Sequence, residues 1–588
     1  MSEPVVLLLI VVKALFVVLY SLTLAIVLTW ADRRQGAMIQ DRVGPNRAVI
    51  FLPGSWAALL TLGLGVAVGG LVIHWASSVD AKGPGRTVSA LCFSQLAILV
   101  TWVFLLAIAG RVRKRGARST FDLAIAALGD PRRIAIAGLG AHGLSVLAAL
   151  SLRGTEQGLL LREIGLRSGP AIFAFSTVGA ALYAAVALAK VDRVGIRLAG
   201  LLHSAADGLK TAFKEDIIPP GVDRFVHSIA PFISFFPVLA LLAVVPFGDS
   251  LCLGPGADGS TLLVPGTATC QGASVPFQVL RIDSGLLYYF ALAGTGIVGA
   301  ALAGWASNNK YSLLGGLRAA SQMISYEVTL GLTLVGTLMI YGTLRIEDMV
   351  AWQGQHAWGI FVQPLGFLLF FAAAVAESKR VPFDLPEGES EIVAGYFTEY
   401  SGMKFAMFFF AEYVVVVTSS ALMVALFFGG WQLPFLDRQG IHIAIGENVV
   451  LDQALPHLLV VLGGFVGFLV KVAALCWFQL LVRWTLPRFR YDQLMNLGWR
   501  KLLPASLLNV LLTGLLLLVV DSLSPEAQAG LQALGDLTQL VLAVSGAVAL
   551  ILLVRFLLSR PTRQRLLSTS SARLAQAMGG TRTIRMGA

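Results

Sequence analysis

The chain has 588 residues, a formal net charge of +11 and a mean hydropathy of +0.78; 56% of its residues are hydrophobic and 13% charged. Ordinary soluble domains carry roughly 25% charged residues, and a water-soluble fold of this length has too little interior for so much apolar surface, so the bilayer is the solvent. The basic clusters lie between apolar stretches without interleaved aromatic residues, which argues against nucleic acid as a partner.

The first apolar run, 5–30, is long enough to span and lacks the basic flank of a cleavable signal peptide. It leads into DRRQGAMIQDRVGPNR at 32–47, where the arginines suit an acidic partner surface or lipid phosphates. The positive-inside rule alone explains most of that charge. Runs near 56–76, 88–110, 134–152 and 170–189 read as four more spans, and the segment RVRKRGARSTFDLAIAALGDPRR between them is strongly basic. Such a loop suits anionic lipid or an acidic partner, although four helices padding the flank of an assembly explain it more simply.

The segment 200–215, GLLHSAADGLKTAFKE, is too short and polar to span. At 100° per residue Leu201, Leu202, Ala205, Ala206, Leu209, Ala212 and Phe213 share one arc, with His203, Ser204, Asp207, Lys210, Thr211 and Lys214 opposite. The pattern predicts an amphipathic helix on the inner membrane surface, ended by Pro219 and Pro220. Further spans follow near 226–247, 285–306, 323–342, 360–377, 405–429, 455–482, 504–521 and 537–558, about thirteen in all. Alternating the loops places about 8 Lys and Arg on the side of the N-terminus and about 34 opposite, so the N-terminus is expected outside and the C-terminus inside. The tail 559–588, with six arginines and no acid, suits the inner face.

The cysteines are Cys92, Cys252, Cys270 and Cys476, none in a C-x-x-C pair, and no Gly-rich nucleotide fingerprint follows a strand. No metal site and no redox centre is therefore expected in this chain. Cys252 and Cys270 share the outer loop 248–284, where a disulfide and two free thiols are both open readings.

An ionisable group in hydrocarbon costs about 2.5–3.5 kcal/mol on insertion scales. Glu327 in MISYEVTLGL, Glu377 at the end of a span, Glu412 in FFFAEYVVVV and Lys471 in GFLVKVAAL are thus informative. Singly, each is as well explained by a structural ion pair or by snorkelling; several near one face indicate a buried polar path. The richest stretch is 376–404, AESKRVPFDLPEGESEIVAGYFTEYSGMK, with Glu377, Asp384, Glu387, Glu389, Glu391 and Glu399 on the normally basic inner side. Mutual repulsion raises some of these carboxyl pKa values towards neutrality, where they can exchange protons. A solvated acidic loop docking a basic partner is the plainer alternative.

Together these segments resemble the H-type membrane subunit family (mitochondrial subunit 1) of NADH:quinone oxidoreductase, respiratory complex I. The resemblance rests on DRRQGAMIQDRVGPNR, VGIRLAGLLHSAADGLKTAFKEDIIPP, WASNNKYSLLGGLRAASQMISYEVTLGL, AESKRVPFDLPEGESEIVAGYFTEYSGMKFAMFFFAEY and RWTLPRFRYDQLMNLGWRKLLPASLLNVLLTG, and covers 1–47 and 194–521. It implies an all-α integral membrane bundle: a first helix and inner loop (1–47), a four-helix insertion (48–193), the remainder of an eight-helix core (194–521), and an extra C-terminal helix with a basic tail (522–588). Asp32 stands where the family usually has Glu, and His203–Ser204 where it usually has Gln-Pro.

The resemblance further implies a translocase component of a bacterial inner (plasma) membrane, N-terminus periplasmic and C-terminus cytoplasmic. It would join hydrophilic quinone-site and iron–sulfur subunits to the small membrane subunits that lead to the antiporter-like ones. Quinone, ubiquinone among them, would be the substrate, with NADH, FMN and iron–sulfur clusters held by partner subunits and no cofactor by this chain. Arg33, Arg34, Gln40, Arg42, Arg47, Asp207, Lys210, Lys214, Glu215, Asp216 and Arg380 would serve the quinone chamber and partner interface, Arg380 pairing within the acidic loop. Glu327, Glu377, Asp384, Glu387, Glu389, Glu391, Glu399 and Glu412 would form the proton path. A related membrane-bound hydrogenase or a ferredoxin- or deazaflavin-linked dehydrogenase shares this fold and is the alternative; a stand-alone ion transporter would show paired inverted repeats.

Overall fold

The computed structural model describes residues 3–40, 44–45, 50–67 except 54 and 57, 193–196, 200–253, 273–437, 440–445, 448–454 and 457–524, with isolated positions at 178, 182 and between 530 and 548. The expected spans 88–110 and 134–152, nearly all of 170–189, most of 537–558, the tail 559–588, and Arg42, Arg47, Cys92 and Cys270 lie outside the described residues.

Helix α1 (Glu3–Ile39) is 37 residues long, about 55 Å at 1.5 Å per residue. It therefore outruns the roughly 30 Å hydrocarbon layer and carries Asp32, Arg33 and Arg34 beyond the apolar stretch. After a short helix α2 (Ala58–Ala67), the chain resumes at strand β2 (Arg193–Ile196), which pairs antiparallel with β1 (Ile50–Pro53), Pro53 opposite Arg193 and Ile50 opposite Ile196. The surface helix α3 (Leu202–Ala212) follows. Next come α4 (Arg224–Leu241), whose first turn is capped by the Asp223 carboxylate, α5 (Gly285–Ala306), α6 (Lys310–Tyr341) and α7 (Ile346–Gln355). The predicted span 360–377 is broken: a single turn, Gly359–Val362, is separated at Gln363 from α8 (Pro364–Glu377), where Pro364 starts a new helix. Then come α9 (Gly402–Phe427), α10 (His457–Thr485) and α11 (Leu503–Asp521), the last preceded by a helical turn and a π-helical turn over Tyr491–Leu502.

Seven helices among the described residues are long and apolar enough to cross a membrane. The fold is helical, as expected, but the segments between α4 and α5 and between α9 and α10 form short antiparallel ribbons that hydropathy did not reveal: β3 (Leu251–Leu253) with β4 (Ala273–Val275), and β5 (Leu436–Asp437), β6 (Gly440–Ile445) and β7 (Asn448–Ala454) in order. The β-branched segments GIHIAI and NVVLDQA fall between membrane-length helices, and their backbone groups find partners in each other.

Helix α9 is the mast of the bundle. Of its most apolar stretch 83% is buried, and α1, α3, α4, α7, α8 and α10 pack around it. On its far side α6 packs against α5, α8 and α11. Small residues permit the close crossings that membrane bundles rely on. A Cβ on Gly304 of α5 would lie 2.6 Å from the Ser312 carbonyl oxygen of α6. Helix α3 turns its polar side inwards: the Thr29 hydroxyl donates to Ser204 (2.9 Å) and Arg33 pairs with Asp207 (2.5 Å). Its apolar side, Leu209 and Phe213 included, is exposed, as a helix lying on a membrane surface requires.

Candidate functional site

The N-terminal ends of α4 and α6, the C-terminal ends of α5 and α8 and the N-terminal half of α9 enclose the acidic segment. Two buried anchors hold its backbone. Gln322 of α6 donates its amide to the carbonyl oxygens of Ala376 and Phe383, both at 2.7 Å. Gly395 has φ +56°, and a Cβ there would lie 1.6 Å from the Pro386 carbonyl oxygen. Only glycine fits that fold of the loop back onto itself.

Within this frame Arg380 and Glu412 form an ion pair (Nη2 to Oε2, 3.1 Å) with side chains 8% and 2% exposed. The guanidinium lies over the Tyr413 ring at 4.0 Å and the Phe409 ring at 5.4 Å. On the other carboxylate oxygen, the Tyr396 hydroxyl donates to Glu412 (3.3 Å) and accepts from Lys379 Nζ (3.4 Å). Arg380, expected to pair inside the acidic loop, thus reaches across to α9. Burial pushes the Lys379 ammonium pKa down against the pull of Glu412, Glu387 and Glu377. Glu377, Lys379, Tyr396 and Glu412 line one cavity, walled by Ser234, Met323 and other residues of α4–α6 and α9. About 20 Å³ of it is open to the centre of a water molecule, against the roughly 10–15 Å³ one water needs. The cavity therefore holds water-sized guests only. Glu327 is one step away: a Cβ on Gly294 of α5 would lie 3.0 Å from its carboxylate, and Glu327 and Glu377 are within electrostatic range of each other.

In the same loop Asp384, 5% exposed, accepts from Arg488 (2.7 Å). Burial, then the charge of Glu387, pushes the Asp384 carboxyl up to about 7. Arg488 opposes the rise, but it is 35% exposed and solvent weakens its hold.

The other predicted carboxylates are spread out. Exposed Glu391 pairs with Arg318 (2.7 Å), and Glu399 accepts from Asn309 Nδ2 (2.6 Å), the residue that caps α6. The side chain of Glu389 lies outside the described residues. Of the expected interface residues, Arg33 and Asp207 meet, Asp216 pairs with Lys404 (3.0 Å), Arg34 is half-buried, and Gln40, Lys210, Lys214 and Glu215 are exposed. Arg42 and Arg47 are undescribed. Lys471, read as a charge inside a span, donates to the carbonyl oxygens of Phe428 (2.8 Å), Gly430 (3.1 Å) and Gln432 (2.5 Å) beneath the Trp358 ring.

Sequence reading missed Lys379 and Tyr396, although Lys379 stands beside Arg380, and it missed the partners of Asp32. That carboxylate, buried towards the C-terminal end of α1, accepts from Arg483 (2.5 Å), Trp484 Nε1 (2.8 Å) and the Tyr413 hydroxyl (3.0 Å). Among the described residues no three His, Cys, Asp or Glu side chains are grouped to hold a metal.

Residues 172–514 match the family model described as NADH dehydrogenase. The chain is 42% identical over 357 residues to the H subunit of the NADH-quinone oxidoreductase of Flavobacterium psychrophilum, covering 59% of this chain and 95% of that protein. The first of the H subunits of Cytophaga hutchinsonii is 40% identical over 357 residues (59% and 95%), and the second of those of Geobacter metallireducens 42% over 352 (59% and 92%). These relatives align along nearly their whole length, so the surplus length lies in this chain.

Proposed function

Since the chain belongs to the NADH dehydrogenase family, as a multi-pass membrane component of NADH:quinone oxidoreductase of the H-subunit type, we propose that it couples quinone reduction to proton movement through the Glu377–Glu412 cavity. The observation that carries this reading is the buried run Lys379–Tyr396–Glu412–Arg380 opening on a water-sized space shared with Glu377. Charges are kept at such depth at a cost, and an alternation of acid, phenol and base around one water position suits proton transfer. The cavity is far too small for a quinone head group. Quinone would bind between this chain and hydrophilic iron–sulfur partners, near Arg33, Arg34, Asp207 and the exposed inner loop carboxylates. NADH, FMN and the iron–sulfur clusters would reside on those partners.

In this scheme Asp384 and Glu387 form the inner entrance. Reduction of quinone nearby changes the local charge, Asp384 exchanges a proton, and Glu412, Glu377 and Glu327 pass the change along the membrane plane towards the small membrane subunits. The chain would sit in a bacterial inner membrane, N-terminus periplasmic and C-terminus cytoplasmic, with 48–193 as a four-helix insertion and an appended helix after 522, about thirteen spans in all.

Glu377→Gln tests the path, because no ion pair holds Glu377 among the described residues and the substitution strands no cation bonded to it. In the whole complex in sealed vesicles, coupled turnover should fall about tenfold, somewhat less than the loss of a full acid–base group. The amount of assembled complex should be unchanged. Wild-type turnover and proton movement would rule the path out.

A further inference from the structure

We infer that Asp32 is a positioning residue for the buried Arg380–Glu412 pair, acting from the inner end of α1 through the hydroxyl and ring of Tyr413. The inference rests on the proposed role of Glu412. Three donors from two other helices converge on Asp32: Tyr413 of α9, and Arg483 and Trp484 of α10. The site is shaped to receive them. One turn beyond Asp32, Gly36 leaves a notch filled by the Trp484 ring, which a Cβ would meet at 2.6 Å.

Tyr413 has two faces of contact. Its hydroxyl is held by Asp32, and its ring carries the Arg380 guanidinium at 4.0 Å. Its chain neighbour Glu412 is the carboxylate that Arg380 reaches. Arg380 Nε and Nη2 are buried and make no well-aligned hydrogen bond among the described residues. The orientation of the guanidinium therefore depends on the rings beneath it and on the charge of Glu412. Asp32 has its charge partner in Arg483 already, so the Tyr413 hydroxyl is not required to neutralise it. What that bond does is fix the ring.

Asp32 is also tied to the surface helix. Its neighbour Arg33 pairs with Asp207, and Thr29, one turn earlier, bonds Ser204. A displacement of α3 or of the inner end of α1 thus has a continuous route, through Asp32 and Tyr413, to the ion pair at the cavity. Each link is a direct contact or a step along one helix.

The test uses the whole complex in sealed vesicles, with three variants: Tyr413→Phe, which deletes one oxygen and keeps the ring, Asp32→Asn, and the double variant. NADH oxidation by a water-soluble acceptor normalises for assembled complex; kcat and KM for quinone and protons moved per NADH are read. Tyr413→Phe and Asp32→Asn should each lower kcat and protons per NADH at least threefold with KM unchanged. The double variant should be no worse than the poorer single, because both cut one link. Wild-type values for Tyr413→Phe, a change in KM alone, or multiplying losses would overturn the inference. Tyr413→Phe decides alone should Asp32→Asn fail to assemble. Glu377→Gln run in parallel separates the two readings: normal behaviour there sinks the proton path, whereas a defect there beside a normal Tyr413→Phe sinks only the positioning role.

Discussion

Changing Arg380 to methionine keeps most of the side-chain volume and removes the charge that Glu412 faces. Both partners are almost wholly enclosed, at 8% and 2% exposure. Removing one member of such a pair typically costs about 3–5 kcal/mol; Glu412 keeps the Tyr396 hydroxyl, backed by Lys379, when Arg380 goes. The contact with the Tyr413 ring at 4.0 Å adds about 1–2 kcal/mol in a desolvated setting. The two survivors are not equivalent. Glu412 left alone can take up a proton and become neutral, whereas Arg380 left alone cannot release one. Glu412→Leu should therefore be the harsher single change, Arg380→Met the milder, and the double variant should be more stable than either, since a well-packed apolar pair replaces an ion pair at little loss. The measurement is the fraction of complex still assembled on native gels after graded heating. Losses in the double variant equal to the sum of the singles would refute the reasoning, because they would mean that the two charges do not depend on each other.

Asp384 titrates near pH 7, raised by burial, so its folded form favours the proton. Its contribution to stability is full below the ordinary aspartate pKa and is lost as pH rises towards 7; Asp384→Asn should flatten heat resistance between pH 5 and 7, and a slope identical to wild type would exclude it. The same variant should remove one ionisation near pH 7 from the pH profile of kcat. Gly395→Ala puts a methyl group where the Pro386 carbonyl oxygen lies at a positive φ; assembled complex should fall about tenfold on native gels. Replacing 54–192 by Asn-Gly should leave assembly and quinone reductase turnover within about twofold of wild type, since Pro53 and Arg193 already stand opposite each other in an antiparallel pair and a two-residue turn closes such a ribbon.

The seven spans found among the described residues were legible because the bilayer dictates length and apolarity. Helix α5 matched its predicted limits residue for residue. Helix α6 begins at Lys310 rather than 323: its first three turns carry Arg318, Ser321 and Gln322, too polar to register in hydropathy although helical. The break at Gln363 followed from Pro364, a signal present but overridden by the apolar run around it. The acidic loop announced itself by its wrong sign of charge on the inner side. Its partners did not: Asp32 and Arg483 are 451 residues apart, and no periodicity within one helix encodes a meeting between two.

Lys471 and Arg483 sit twelve positions apart on α10, about 18 Å along its axis. The first is fastened to the backbone just past the C-terminal end of α9, the second through Asp32 to Tyr413 near its middle. A pair of rods riveted at two separated points resists hinging open like scissors. The freedom left to it is torsion of one rod against the other, and Glu412 adjoins one of the two fastenings, at Tyr413.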